Sequence, residues 1–102
     1  MSIKYKKQSN DLIVYLYGEI DEYSAKTMRS RLDELIKDNC EVNKFIFDLS
    51  AVSFMDSTGI GMFLGRYKLL NSYNIEVYIT GITPNIDKIL ELSGIYRLMK
   101  KI

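Results

Sequence analysis

The chain has 102 residues, 47% of them hydrophobic, which suits a single domain built around one core. Its 14 basic and 13 acidic residues leave a net charge of +1, so composition gives no electrostatic basis for direct binding to nucleic acid. Histidine is absent, which removes the usual Ser-His-Asp and Cys-His nucleophiles and the commonest metal ligand.

Alternation of apolar and polar residues predicts two strands at the start of the chain. They cover residues 3–6 and 11–17, and the polar residues between them indicate a β-hairpin with a short loop. Ser24 is predicted to cap a helix that runs to about Asp38. One face of this helix is apolar and carries Ala25, Met28, Leu32, Leu35 and Ile36.

The middle of the chain predicts a buried strand followed by a second helix. Residues 45–47 are apolar in succession, which favours a strand with both faces buried in a mixed or parallel sheet. A short connector then leads to a helix over Ser57–Ser72. One face of this helix carries Ile60, Phe63, Leu64 and Tyr67.

The last third of the chain predicts a strand, a helix and a short edge strand. The strand covers residues 75–80, and residues 98–102 form the edge strand. Thr83 caps the helix, Pro84 takes its first position, and Gly94 ends it in a left-handed conformation. The sequence therefore predicts an α/β fold. Its mixed sheet of four to five strands is opened by an N-terminal hairpin, and three or more helices pack mainly on one face.

No apolar run approaches the roughly 18 residues that a transmembrane helix needs. Cys40 is the only cysteine, so an internal disulfide and a thiolate metal cluster are excluded. We expect a cytoplasmic protein with no membrane association, no metal and no cofactor.

The segment Asp56-Ser57-Thr58-Gly59 carries the main functional signal. It stands at a predicted helix start, where backbone N–H groups lack partners and the helix dipole is positive. A hydroxyl there is well placed for phosphorylation, and either Asp56 or Ser57 can cap the helix. Aspartic proteases have one residue between the catalytic aspartate and the glycine. Here two residues separate Asp56 from Gly59, so the segment does not match that motif. A serine-hydrolase elbow would need a glycine at Met55 and a catalytic base.

Three glycines, at positions 59, 61 and 65, do not form a nucleotide site. A dinucleotide fingerprint requires its third glycine where Leu64 stands, and the predicted connector before the helix is too long for the required tight turn. No Walker loop is present. The glycines are expected to permit close approach, either to the protein's own sheet or to a docked partner. We expect no enzymatic activity.

Asp21 follows the second predicted strand and lies close to the start of the first helix. Taken alone, it is interpreted as a solvated loop carboxylate.

Several of these segments together resemble one family, the bacterial anti-sigma factor antagonists of the STAS superfamily. The resemblance is carried in order by residues 18–21, 47–61, 64–68 and 92–95, which span nearly the whole chain. It implies a single STAS domain over residues 1–102.

By this resemblance, Ser57 is the residue that becomes phosphorylated. Asp21, Asp56, Thr58 and Gly59 are its neighbours. The implied partners are an anti-sigma factor with serine kinase activity and a PPM-type serine phosphatase. The unphosphorylated form would bind the anti-sigma factor and release sigma factor, and phosphorylation would end that binding.

The partner surface is expected to include exposed parts of the second helix, such as Met62 and Arg66. An alternative keeps the STAS fold without phosphorylation, as a scaffold or interaction module.

Overall fold

The computed structural model describes residues 2–102, in which strands and helices alternate after an opening hairpin. The strands are β1 (Ser2–Gln8), β2 (Asp11–Ile20), β3 (Lys44–Met55), β4 (Glu76–Thr80) and β5 (Lys100–Lys101). The helices are α1 (Glu22–Asp38), α2 (Ser57–Ser72) and α3 (Pro84–Ser93), with a 3-10 turn at Ile95–Arg97. None of the helices in this part of the chain is long and apolar enough to span a membrane.

The five strands form one mixed sheet in the order β1-β2-β3-β4-β5. β1 is antiparallel to β2, and all later neighbours are parallel. This arrangement confirms the predicted mixed sheet with its N-terminal hairpin. Because β2 and β3 are parallel and each leads into a helix, the starts of α1 and α2 lie at the same edge of the sheet.

The core lies between one face of the sheet and the helices. Phe45, Phe47 and Phe63 are fully buried there. The ring centroid of Phe47 lies 4.9 Å from that of Phe45 and 5.0 Å from that of Phe63. Ile46 points to the other face and is only half-buried. The prediction that both faces of this strand are buried was therefore wrong, since the inward face alone is fully covered.

β3 continues eight residues beyond the apolar run of residues 45–47, through the segment predicted to be a connector. Its register with β2 shifts twice, and at each shift β3 carries an additional residue. The pairs that show this are Tyr15–Asp48, Tyr17–Ala51, Gly18–Val52 and Glu19–Phe54. The buried positions therefore change from every second residue to Leu49, Val52 and Met55.

The helix predictions are largely confirmed. The apolar face predicted for α1 is the buried one, α2 has the predicted bounds, and Gly94 ends α3 with a φ of 77°. The buried face of α2 is rotated from the predicted one. It consists of Gly59, Met62, Phe63 and Leu70.

Candidate functional site

Two capped helix starts lie side by side at the carboxyl edge of β2 and β3. Ile20 and Met55 are paired in the sheet, and the Asp56 N–H donates to the Ile20 carbonyl at 3.3 Å. Asp21 and Asp56 each follow one of these two paired residues. The sheet thus brings together two acidic residues that are separated by 35 positions in the chain.

Asp21 is the N-cap of α1. Its Oδ1 accepts hydrogen bonds from the backbone N–H groups of Tyr23 and Ser24, both at 3.0 Å. The Ser24 Oγ accepts from the Asp21 N–H at 3.0 Å, which completes a capping box. These bonds, led by the one from the Ser24 N–H, hold the pKa of Asp21 below its ordinary value of 3.8. Ser24 is therefore not the cap, and Asp21 is more than a solvated loop carboxylate.

Asp56 caps α2, which settles the choice between Asp56 and Ser57. Its Oδ1 accepts from the Thr58 N–H at 2.9 Å, and its carbonyl accepts from the Gly59 N–H at 3.0 Å. Ser57 is the first residue of the helix, and its side chain is exposed. The Ser57 hydroxyl makes no hydrogen bond within residues 2–102.

At Gly59, α2 packs directly against the ends of β2 and β3. A Cβ at this position would lie only 3.0 Å from Cγ2 of Ile20 and would overlap the Met55 side chain. Gly61 and Gly65 have open space at the same position. Close approach to the protein's own sheet is therefore confirmed for Gly59 alone. The helix start is fixed against the ends of both strands.

Met62 and Arg66 do not lie on the exposed part of α2, so their predicted exposure was wrong. Met62 is 0% exposed. The Arg66 side chain is 12% exposed, and its Nε lies 2.8 Å from Oδ1 of Asp33 on α1. Burial lowers the pKa of Arg66, and the charge of Asp33 opposes that shift. Both residues fall on the face that contains Gly59, because they follow it by three and seven positions.

The connection between β3 and α2 bears on the argument against a dinucleotide-binding site. β3 ends at Met55 and α2 begins at Ser57, so the connector is tight and not long. That argument against a dinucleotide site was wrong. The mismatch of Leu64 with the fingerprint remains.

Two exposed aromatic side chains at this edge were missed. Tyr23 is 84% exposed and Phe54 is 49% exposed. Tyr23 could have been found from helical periodicity, because it lies opposite the buried face of α1. The exposure of Phe54 could not be predicted from the sequence, because the register shifts of β3 interrupt the alternation of buried and exposed residues around it.

The edge is acidic. Residues 19–24 and 53–59 contain four acidic residues and no basic ones. Asp21 and Asp56 are held at helix N-termini, which favour negative charge. Glu19 and Glu22 are exposed, and neither forms an ion pair within the described chain.

A groove lies at the other end of α2, away from Ser57. Tyr67 and Asn71 line it from the helix, and Val77 and Tyr78 line it from β4. It takes no part in the arrangement around Ser57.

Comparisons with known proteins give a consistent result. The model of the STAS domain family matches residues 2–102. An anti-sigma F factor antagonist of Paenibacillus polymyxa is 34% identical over 100 residues, covering 97% of this chain and 84% of the relative. The fold is similar to the anti-sigma factor antagonist SpoIIAA in its unphosphorylated form, with a TM-score of 0.81 and 24% identity over 99% of this chain and 88% of that one. SpoIIAA from Bacillus in its phosphorylated form gives a TM-score of 0.72 at 24% identity, over 99% of this chain and 91% of that one.

Proposed function

This chain belongs to the STAS domain family, and from that premise we propose that it is an anti-sigma factor antagonist, acting as one domain over residues 1–102. Its unphosphorylated form binds an anti-sigma factor and thereby releases a sigma factor. The anti-sigma factor also acts as a serine kinase that phosphorylates Ser57, which ends the binding. A PPM-type phosphatase restores the hydroxyl. The chain is the substrate in this cycle and not an enzyme.

The observation that carries the proposal is the exposed hydroxyl of Ser57 at the first position of α2. Asp56 provides the cap, so no hydrogen bond of the helix start has to break when Ser57 is modified. A phosphoryl group there would meet the positive end of the helix dipole. Both features support modification at Ser57 without a change of fold.

The effect on binding follows from charge. Phosphorylation adds about −1.5 to −2 charges at neutral pH. At the surface these charges remain hydrated, but a docked partner would have to desolvate them next to Asp56 and Asp21. A penalty of several kcal/mol is typical of such a like-charge arrangement, and each ~1.4 kcal/mol weakens binding tenfold. The switch therefore acts at the partner surface.

The test uses candidate anti-sigma kinases from the same organism. The protein is incubated with each kinase and ATP, and the modified residue is mapped by mass spectrometry. Ser53→Ala is the matched control, because Ser53 is an exposed serine four positions from Ser57. We expect phosphate on Ser57 in the parent protein and in Ser53→Ala, and none in Ser57→Ala.

Binding is measured in parallel by calorimetry. Ser57→Ala should bind the kinase with or without ATP, and Ser57→Asp should bind weakly. Equal affinities for these two variants, with no phosphate incorporated, would instead favour the scaffold without phosphorylation.

A further inference from the structure

Two exposed aromatic side chains flank the paired helix starts. Tyr23 lies in the first turn of α1, two residues after its cap, and Phe54 lies two residues before the cap of α2. Phe54 is also paired with Glu19 across the sheet, which places their Cα atoms about 5 Å apart. Tyr23 and Phe54 therefore lie next to the two strand-to-helix connections that bring Asp21 and Ser57 to the same end of the sheet.

The fold does not use these two rings. Tyr23 lies on the side of α1 opposite its buried residues, and its hydroxyl makes no hydrogen bond within residues 2–102. Phe54 follows the second register shift of β3, where two consecutive side chains, Ser53 and Phe54, are left exposed. Large aromatic side chains exposed together at one edge are typical of a docking surface.

The charges around the rings indicate the chemistry of the partner. Glu19 and Glu22 are exposed and unpaired within the described chain, and both lie close in sequence to Tyr23. Asp21 and Asp56 already interact with helix N-termini. The groups left for a partner are therefore two glutamates on the α1 side and two aromatic rings. An apolar pocket bordered by lysine or arginine side chains is complementary to this combination.

We propose that Tyr23 and Phe54 are the apolar anchors by which the unphosphorylated chain holds its anti-sigma factor, and that lysine or arginine side chains of the partner face Glu19 and Glu22. This inference rests on the proposed function, because it takes the anti-sigma factor as the partner. It adds a reason for the effect of phosphate. The anchors bring the partner surface into close contact beside Ser57, where a dianion would have to be desolvated next to Asp56.

The first test measures affinity for the anti-sigma kinase that phosphorylates Ser57, by calorimetry with the unphosphorylated protein. Tyr23→Ala and Phe54→Ala should each weaken binding at least about tenfold, as expected for anchors at the centre of an interface. Tyr23→Phe should bind as the parent does, because it keeps the ring. Tyr5→Ala is the control. Tyr5 is 60% exposed on the outermost strand β1, and it is paired with Val14, away from the carboxyl ends of β2 and β3.

The second test measures association rates at low and high salt. Replacing Glu19 and Glu22 together by glutamine should slow association at low salt and reduce its dependence on ionic strength. If Phe54→Ala lowers the melting temperature, Phe54→Thr provides a second variant with a residue suited to strands.

The outcomes separate this inference from the proposed function. If the parent protein binds the kinase and Ser57 controls that binding, but both aromatic variants bind within about twofold of Tyr5→Ala, the anchors are overturned and the function stands. If the parent protein neither binds nor becomes phosphorylated, the proposed function fails and this inference fails with it.

Discussion

Nε of Arg66 lies 2.8 Å from Oδ1 of Asp33, so an ion pair connects α2 to α1 at a mostly buried position. The contact lacks the alignment of a hydrogen bond, and Nη1 of Arg66 has no hydrogen-bond partner within residues 2–102. The pair joins the two helices whose starts carry Ser57 and Asp21. Its strength therefore bears on how firmly the site is held.

Arg66→Ala should lower the free energy of unfolding by about 1–3 kcal/mol. Removal of one partner from a fully buried pair costs about 3–5 kcal/mol. The expected loss is smaller here because the Asp33 side chain is 34% exposed and water screens its charge. Urea denaturation followed by circular dichroism measures the difference.

Replacement of both residues of the pair is the matched control. Arg66→Leu combined with Asp33→Leu removes both charges, so the double variant should be about as stable as the parent protein. A stability of Arg66→Ala equal to that of the parent would show that the pair contributes nothing.

The cap of α2 predicts that substitutions of two adjacent residues will affect stability to different extents. Asp56→Ala removes the acceptor of the Thr58 N–H and should cost about 1 kcal/mol of stability. Ser57→Ala removes an exposed hydroxyl that makes no hydrogen bond in the described chain, so its effect should stay within about 0.5 kcal/mol. Thermal and urea denaturation of the two variants test this assignment. A larger loss for Ser57→Ala than for Asp56→Ala would contradict it.

Gly59 and Gly61 provide a second matched pair, two residues apart on α2. Gly59→Ala would force Met55 and Ile20 to move and should destabilise the protein by about 1–3 kcal/mol. Gly61→Ala adds a methyl group in open space and should stabilise the helix by roughly 0.5–1 kcal/mol. Midpoints of urea denaturation give both values. If both variants changed stability in the same direction, the close approach at Gly59 would be in doubt.

Asp21 should contribute to loss of stability in acid. Its pKa in the folded protein lies below the ordinary value, chiefly because the Ser24 N–H donates to its carboxylate. Its stabilising contribution is therefore complete above the unfolded pKa and is lost as the pH falls through the folded pKa. Asn is also a good N-cap but does not titrate in this range.

The comparison is between the parent protein and Asp21→Asn at neutral pH and at about pH 3. At neutral pH the two should have similar stability. Between the two pH values the parent should lose more stability than the variant. Parallel stability curves across this range would show that the cap does not depend on the charge of Asp21.

The sequence predicted the helices well because the signals at their ends act locally. Pro84 cannot continue a preceding helical turn, and Gly94 adopts the left-handed conformation that ends α3. The bounds of α2 followed from Asp56 and from the apolar residues after it. The presence of Asp56, Ser57 and Asp21 near helix starts could likewise be predicted from their positions in the chain.

The remaining features depend on contacts between distant segments. The second half of β3 was missed because its two register shifts break the alternation that identifies a strand. The exposure of Met62 was predicted wrongly because apolar residues surround most of α2. The contact of Gly59 with the strand ends determines which face is buried, and the same rotation places Arg66 next to Asp33.

Asp56 caps α2, while Ser57 is the proposed phosphorylation site. This separation of roles has a consequence for repeated phosphorylation and dephosphorylation. In the proposed cycle the Asp56 carboxylate, which a serine kinase does not modify, keeps the start of α2 capped while Ser57 gains and loses a phosphoryl group. No segment has to unfold or refold during such a cycle. We therefore expect a single molecule to pass through many cycles of the proposed switch without exposing its core.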